Sequence, residues 1–193
     1  MSELSGKRIA FLVAQEGVEE VELTKPWEAL KAAGATPELI APKRGGVQAM
    51  NHLDKGSTFP VDRTLEEIQP QEYDAVVLPG GVANPDELRL EQRAVRFLQE
   101  LSAEGKPIGV ICHGPWTLIE ADLVRERTLT SWPSLKTDIR NAGGKWVNEE
   151  VVVEQGIVSS RKPDDLPAFC AKIVEEFAEG AHEVAHAGAD AGS

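Results

Sequence analysis

Short apolar runs rich in Val and Ile alternate along this chain with longer segments that repeat apolar residues at helical spacing. The runs cover residues 9–13, 39–41, 74–78 and 107–111. Continuous apolar runs of this length are typical of strands buried on both faces of a parallel sheet, and the intervening segments supply the covering helices. The alternation therefore predicts an α/β fold with a mostly parallel sheet and helices on both of its faces.

Two segments are expected to depart from this simple alternation. The first helix should end at Gly34, because glycine readily adopts the left-handed conformation of a helix cap, and Pro26 should kink that helix or mark a second start within it. Residues 44–62 contain several glycines and a proline, a composition typical of turns. They predict a small hairpin at the edge of the sheet.

The length of 193 residues fits one domain with a complete core better than two small ones. Residues 1–179 are expected to form this single α/β domain, with the last helix near residues 164–177. Residues 180–193 are mostly small and rich in Ala and Gly. They predict a flexible tail.

The excess of acidic residues disfavours two classes of binding partner. The chain has 32 acidic and 20 basic residues and a net charge of −12 with neutral His. Such a surface repels phosphate backbones and anionic lipids, so neither a nucleic acid nor a membrane is expected as a partner. The apolar run near the start is much shorter than the roughly 20 residues of a spanning helix. We therefore expect a cytoplasmic protein.

The cysteines and histidines indicate neither a disulfide framework nor a metal centre. Two cysteines allow at most one bridge, so reduced thiols are expected, and Cys170 is predicted to pack as a small apolar residue. His182 and His186 are four residues apart but are expected to be solvent-exposed rather than metal ligands. The glycine spacing of nucleotide-binding loops is absent. The sequence therefore predicts no metal and no cofactor.

Three polar junctions follow predicted strands, at residues 15–22, 79–81 and 112–115. The first is expected to be a Glu-rich turn. In doubly wound sheets, ligands bind beyond the carboxyl ends of the strands. These junctions are therefore the predicted components of a functional site.

Cys112 is the strongest candidate for a nucleophile. Gly109 and Gly114 flank it, much as small residues flank the nucleophile of a sharp strand-to-helix turn, so its side chain is expected to project into solvent. The start of the following helix favours the thiolate, which lowers the thiol pKa. The alternative is a packed and unreactive cysteine.

Several motifs together carry a resemblance to a known family. They are VVLPGG, EGKPIGV, ICHGP, SWPSLKTDIRNAGGKWV and VSSRKPDDLPAF. The chain resembles the PfpI-like intracellular protease branch of the ThiJ/PfpI superfamily, related to class I glutamine amidotransferase domains, from about residue 7 to residue 177. With this resemblance the predicted fold is a flavodoxin-like three-layer sandwich with a small edge hairpin.

The resemblance also implies catalytic roles. In the family a glutamate from the loop after the first strand approaches the cysteine, and the EGVEEVEL segment places Glu19 there. His113 is implied to be the acid/base partner of Cys112, the alternative being a histidine that caps the helix or binds across an interface. By charge alone, three other residues compete with Glu19, namely Glu16, Glu20 and Glu22.

Two further parts of the site follow from the same resemblance. An acidic residue after the PGG motif, donated by a neighbouring subunit, orients the histidine in PfpI-like proteins. Asp86 occupies that position here, with Glu87 as the alternative. The backbone amides of Gly81 and His113 would form an oxyanion hole. A homo-oligomer, either a dimer or a hexamer, is therefore expected.

The predicted function is that of a stress-related, cysteine-dependent hydrolase. The resemblance suggests reactive carbonyls as substrates, in a glyoxalase- or deglycase-type reaction at Cys112. An intracellular cysteine peptidase that acts on peptides is the first alternative. The second is a redox-responsive stress protein or holdase in which Cys112 is oxidised without turnover.

Overall fold

The computed structural model describes residues 3–183. Within them the chain forms twelve β-strands and six α-helices. In chain order the strands are β1 (Arg8–Leu12), β2 (Glu16–Glu19), β3 (Thr36–Ala41), β4 (Gly46–Asn51), β5 (Asp54–Pro60), β6 (Arg63–Thr64), β7 (Ala75–Leu78), β8 (Ile108–Ile111), β9 (Thr128–Leu129), β10 (Lys145–Trp146), β11 (Val151–Glu154) and β12 (Ile157–Ser160). The helices are α1 (Glu20–Ala32), α2 (Ala83–Leu88), α3 (Gln92–Ala103), α4 (Pro115–Glu120), α5 (Lys136–Asn141) and α6 (Leu166–Glu179).

Seven strands form the central sheet in the order β11-β12-β8-β7-β1-β3-β6. Neighbouring strands are parallel except β11, which is antiparallel to β12. At the centre, Phe11 of β1 lies opposite Leu39 of β3 and Val77 of β7. The mostly parallel sheet is confirmed. Strands β8, β7 and β1, which precede the three polar junctions, are adjacent.

Each face of the sheet has its own apolar core. Successive residues of a strand point to opposite faces. Ile9 and Phe11 pack in the core covered by α1 and α6, whereas Ala10 and Leu12 pack in the core covered by α2, α3 and α4. The helix–sheet–helix arrangement confirms the predicted three-layer sandwich and fixes the relative positions of the strand ends.

The predicted hairpin is present, but it does not extend the central sheet. Strands β4 and β5 pair with each other, and β4 also pairs in parallel with β2 to give a separate three-stranded sheet. Residues 16–19, expected to be a turn, are therefore a strand. Their sequence contains two glutamates and a glycine, so their strand conformation depends on the long-range pairing with β4 rather than on local preference.

Helix α1 runs without interruption through Pro26, so this proline does not mark a second helix start. Proline lacks the N–H that would donate to the carbonyl four residues earlier, here that of Glu22. The apolar side of α1, which includes Pro26 and Leu30, is buried against the sheet. This burial stabilises a helix that its sequence alone would interrupt.

The end of the described chain contacts the domain. Residues 180–183 have no regular secondary structure, but the His182 N–H donates to the carbonyl of Gly105 at 2.9 Å. The predicted flexible tail begins at residue 180, and its part from residue 184 onward lies outside the described residues. None of the helices among residues 3–183 is long and apolar enough to span a membrane.

Candidate active site

The loops after β1 and β7 are joined by a buried side chain. Asn84 of α2 donates from Nδ2 to the carbonyl oxygens of Pro79 and Gly80, each at 3.0 Å. Its Oδ1 accepts a hydrogen bond from the Ala14 N–H at 2.7 Å. The two loops therefore form one unit at the carboxyl edge of the sheet.

Cys112 occupies a strained turn directly after β8. Its φ is 63°, in the left-handed region that few residues other than glycine adopt. The Cys112 N–H donates to the Ser160 carbonyl at 3.1 Å, and its carbonyl accepts from the Trp132 N–H at 3.0 Å. Hydrogen bonds on both sides of the residue thus hold the strained conformation.

The Cys112 thiol is recessed. The residue lines a pocket of about 220 Å³ but is only 7% exposed. The expectation that the side chain projects into solvent is wrong, because Glu19 and Glu22, the tip of the β4–β5 hairpin and Trp132 line the pocket around it. A reactant must therefore enter the pocket to reach the sulfur.

The carboxyl group beside the thiol belongs to Glu22, not to Glu19 as expected. Glu22 is 0% exposed, and a Cβ atom added to Gly80 would lie 2.6 Å from both Glu22 Oε1 and Cys112 Cβ. Within the described residues, neither Glu22 oxygen makes a hydrogen bond of ordinary geometry. Its polar neighbours include the Cys112 thiol and the Gly81 amide. Such a buried and poorly satisfied carboxyl is costly unless it carries a proton.

Burial favours the protonated form of both groups in this pair. Burial raises the pKa of Glu22 to about 8, and the negative charge of Glu19 contributes to the increase. Burial also raises the pKa of the Cys112 thiol, and the amides of Gly81 and His113 act in the opposite direction. The expected lowering of the thiol pKa by the helix start is therefore outweighed by burial.

His113 lies next to the sulfur and between two aromatic rings. Its Nδ1 is 3.2 Å from Cys112 Sγ. Its ring stacks on Trp132, with centroids 5.8 Å apart and an interplanar angle of 22°, and meets Trp116 edge-on at 5.2 Å. Burial lowers the pKa of His113. A neutral imidazole held in this way can accept a proton.

Two backbone amides converge on the sulfur. The N–H groups of Gly81 and His113 lie close enough to the Cys112 thiol to lower its pKa. Gly81 has φ of 81°, and a Cβ atom there would collide with the carbonyl oxygen of Gly17, so glycine is required for this close approach. The role of these two amides as an oxyanion hole stays a prediction.

Asp86 and Glu87 are exposed on α2. Within one protomer, the described residues show no hydrogen bond or ion pair between either carboxylate and His113. Their expected contact with His113 involves a neighbouring subunit, so it stays a prediction.

The other glutamates after β1 have separate environments. Glu19 lines the pocket, and its Oε2 accepts a hydrogen bond from the His52 N–H at 3.1 Å. Glu20 binds the same hairpin at Ser57, whose N–H donates to Oε2 at 2.7 Å. Glu16 is exposed and does not line the pocket. Glu19 therefore attaches the hairpin tip to the site, and Glu20 holds strand β5 of the same hairpin.

Comparison with known proteins gives the family. A sequence model of the DJ-1/PfpI family matches residues 7–176. The chain belongs to the DJ-1/PfpI family. It is 42% identical over 168 residues to Deglycase PH1704 of Pyrococcus horikoshii, covering 87% of this chain and 98% of that protein. It is 39% identical over 164 residues to Protein/nucleic acid deglycase 2 of Escherichia coli, covering 84% and 93%.

A solved structure gives the same result for the fold of this DJ-1/PfpI protein. Drosophila melanogaster DJ-1beta superposes with a TM-score of 0.82 at 26% identity, covering 91% of each chain. The resemblance to the PfpI branch and the flavodoxin-like fold are both confirmed. The Pyrococcus horikoshii and Escherichia coli relatives carry deglycase names, and each matches most of the chain.

Sequence reasoning about this DJ-1/PfpI protein missed the position of Glu22 although a signal was present. Glu22, Pro26 and Leu30 are spaced four residues apart, so they share one face of α1, and all three are buried. A glutamate on a buried helix face near a nucleophile is a candidate for an unusual pKa. Asn84 was also missed, and its sequence context ANPDEL carries no comparable signal.

A second group of possible ligands lies away from the pocket. Glu176, Glu179 and His182 offer atoms within 4.8 Å of one another, and His182 Nε2 is 2.5 Å from Glu176 Oε1. His182 was expected to be an exposed side chain, but it is partly covered by this contact. His186, considered with it, lies outside the described residues.

Proposed function

We propose that this chain is a deglycase- and glyoxalase-type enzyme in which Cys112 attacks a reactive carbonyl carbon. The observation that carries the proposal is the fully enclosed Glu22 carboxyl beside the Cys112 thiol, where two backbone amides converge. The relatives named deglycases support the same chemistry. Perturbed acids of this kind are characteristic of catalytic sites.

The first proposed step joins the Cys112 sulfur to the aldehyde carbon of a 2-oxoaldehyde, and the carbonyl electron pair moves to oxygen. The amides of Gly81 and His113 would stabilise that oxyanion, an effect worth on the order of 3 kcal/mol per donor. With a glycated amine as substrate, the thiol instead displaces the amine from its carbinol carbon. The thiol proton then leaves with the amine.

The second step moves a proton between the two carbons. The hydrogen on the sulfur-bound carbon leaves as a proton, and one is delivered to the neighbouring carbon, which converts the hemithioacetal into a thioester. Water then hydrolyses the thioester, so methylglyoxal plus one water gives lactate without an outside oxidant or reductant. The balance requires only proton carriers.

His113 and Glu22 are the proposed proton carriers. The lowered pKa of His113 leaves its imidazole neutral near pH 7, where it can accept a proton. Glu22, with its pKa raised to about 8, begins protonated and can donate. When the pair loses its first proton, we assign the charge to the Cys112 sulfur, because the Gly81 and His113 amides beside it favour the thiolate.

The direct test is lactate formation from methylglyoxal, together with release of free amine from a glycated peptide. We expect Cys112→Ala to be inactive in both assays and Cys170→Ala, which removes the other thiol, to retain activity. A wild-type protein that makes neither product, or a Cys112→Ala variant that still makes them, would contradict the proposal.

A cysteine peptidase is the second candidate. The 3.2 Å contact between Cys112 Sγ and His113 Nδ1 supports it, because an adjacent base activates a nucleophile. The pocket of about 220 Å³ favours small substrates over an extended chain. Cleavage of casein or fluorogenic peptides, lost in Cys112→Ala, would select this candidate.

A redox-responsive stress protein or holdase is the third candidate. It would be selected if the protein were inactive in all of these assays and mild peroxide added oxygen to Cys112.

We also propose a cytoplasmic homo-oligomer, a dimer or a hexamer, in which Asp86 or Glu87 orients His113 across an interface. Large apolar residues at exposed positions near α2, Val82 and Leu90, support an interface there. Sedimentation analysis should show an assembly, and Asp86→Ala or Glu87→Ala should lower its activity. A fully active monomer would contradict the proposal.

A further inference from the structure

The pocket around Cys112 has an unbalanced charge. Its lining includes the carboxyl groups of Glu19 and Glu22, and no Lys or Arg side chain among the described residues lines it. The overall charge of −12 has the same sign. The electrostatic potential at the pocket therefore attracts cations and repels anions.

Of the two carboxyl groups, that of Glu19 is the one that a substrate can contact. It is 9% exposed, and within residues 3–183 it forms no ion pair. One carboxylate oxygen accepts the His52 N–H, a neutral donor. Glu22, in contrast, is fully enclosed and has its pKa raised to about 8. A buried carboxylate without a cation favours a ligand that supplies one.

The rim of the pocket suits the same kind of ligand. Trp132 is 39% exposed on the rim and stacks one face on His113. Leu53, at the hairpin tip, is 93% exposed and also lines the pocket. An indole ring attracts guanidinium and alkylammonium groups, and an apolar rim reduces their solvation by water.

We propose that Glu19 and Trp132 make this pocket selective for carbonyl substrates in which a guanidinium or ammonium group enters the pocket with the reacting carbon, and selective against anionic carbonyl substrates. This inference rests on the proposed function, since it names the substrate class of the same site.

The expected size of the effect follows from Coulomb's law. At a separation of about 6 Å and an effective dielectric constant of about 40, one unit charge changes a rate or affinity by about tenfold. Cationic and anionic substrates of equal shape should therefore differ by up to about a hundredfold. The difference should shrink as the salt concentration rises.

The first experiment compares three aryl glyoxals that differ only at the para position: trimethylammonio, methyl and carboxylate. We expect kcat/KM to fall in that order in the wild type. Glu19→Gln should reduce the cation-to-anion ratio about tenfold or more, and Trp132→Leu should reduce it about threefold. Glu16→Gln, the same change at an exposed position of the same strand, should keep the wild-type ratio. All three substrates react with the same thiol and the same acid. A substitution that changes the reactivity of these groups therefore cancels in the cation-to-anion ratio of kcat/KM.

The second experiment does not require turnover. In a Cys170→Ser background, Cys112 is modified with thiosulfonate reagents that carry either a trimethylammonium or a sulfonate group. We expect the rate ratio to favour the cation and to fall about tenfold in Glu19→Gln. An unchanged ratio in Glu19→Gln, in either experiment, would overturn the inference while leaving carbonyl chemistry intact. Absence of turnover with all three glyoxals, with the charge-dependent modification retained, would instead contradict the proposed function alone.

Discussion

Two clusters of side chains, one around the partly buried Glu38 and one around the fully buried Glu22, shift the pKa of a glutamate in opposite directions. Where β1 begins, Glu38 accepts hydrogen bonds from the Arg8 guanidinium at 2.8 Å and from the Tyr73 hydroxyl at 2.6 Å. Beyond the other end of β1, Glu22 faces the thiol of Cys112, and among the described residues it forms no ion pair. The first cluster satisfies its carboxylate, whereas the second leaves its carboxyl poorly satisfied.

The pKa values follow this difference. Burial alone would raise the pKa of Glu38, but the hydrogen bonds from Tyr73 and Arg8 outweigh it and hold the pKa below its ordinary value. Burial raises the pKa of Glu22 to about 8 because no cation opposes it. Glu38 is also less buried than Glu22, so both its smaller burial and its hydrogen bonds keep its pKa below that of Glu22. A neighbouring cation favours the ionised carboxylate, as at Glu38. Without a cation the protonated form is favoured, and the group becomes a candidate acid, as at Glu22.

The largest expected effect is on activity. Glu22→Gln keeps the shape of the protonated side chain but cannot exchange a proton with the substrate or the thiol. We expect kcat/KM with methylglyoxal to fall about a thousandfold, within the range for loss of an acid/base group. Glu38→Gln, the matched change in the other cluster, should lower it by less than threefold. Equal losses in the two variants would remove the functional distinction between the clusters.

The next effect is on stability as a function of pH. The pKa of Glu22 is raised from 4.5 to about 8 on folding, so the folded state binds more protons than the unfolded state between those values. The free energy of unfolding should therefore fall as pH rises, by about 3 kcal/mol between pH 5 and pH 8 from this group. Urea unfolding at several pH values measures the slope.

Glu22→Gln provides the control for that slope, because glutamine does not titrate. The difference in the free energy of unfolding between Glu22→Gln and the wild type should favour the variant increasingly from pH 5 to pH 8. Glu19→Gln should leave part of the slope in place, since burial is the first cause of the raised pKa. A constant difference across this range would mean that Glu22 ionises normally in the folded protein.

Asn84 tests how the site keeps its geometry. Asn84→Ala leaves the Ala14 N–H buried without its partner and removes both bonds to the loop after β7. We expect a loss of about 2 kcal/mol in the free energy of unfolding, the cost of leaving a buried donor unsatisfied. The rate at which iodoacetamide modifies Cys112 should also change. A stability loss with an unchanged alkylation rate would limit Asn84 to a structural role.

Much of the fold was predictable because its determinants are local and repetitive. The apolar runs of β1, β7 and β8 predict buried parallel strands, and their order along the chain predicts where the polar junctions meet. Strand β2 was not predictable in this way. Its residues have no strand pattern of their own, and their conformation depends on pairing with β4 about thirty residues away.

The candidate site was predictable in its chemistry and less so in its geometry. Cys112, His113 and Gly81 lie at junctions after strands, and the structure brings them together. The choice between Glu19 and Glu22 depends on where α1 begins. Successive side chains of a helix point about 100° apart, so the start of the helix determines which glutamate faces the thiol. The depth of the thiol depends on the hairpin and on Trp132, which are distant in sequence.

The smallest expected effect concerns the cluster of Arg8, Glu38 and Tyr73 at the start of β1. Tyr73→Phe removes one hydrogen bond to Glu38 and keeps the edge-to-face ring contact with Phe97. Glu38 has a lowered pKa in the folded state, so its stabilisation is present above its unfolded pKa and is lost as pH falls through the folded value. We expect Tyr73→Phe to cost about 1 kcal/mol near pH 7 and less as the pH falls through the folded pKa of Glu38. Methylglyoxal turnover should not change, and a loss of turnover in Tyr73→Phe would show that the two ends of the sheet are coupled.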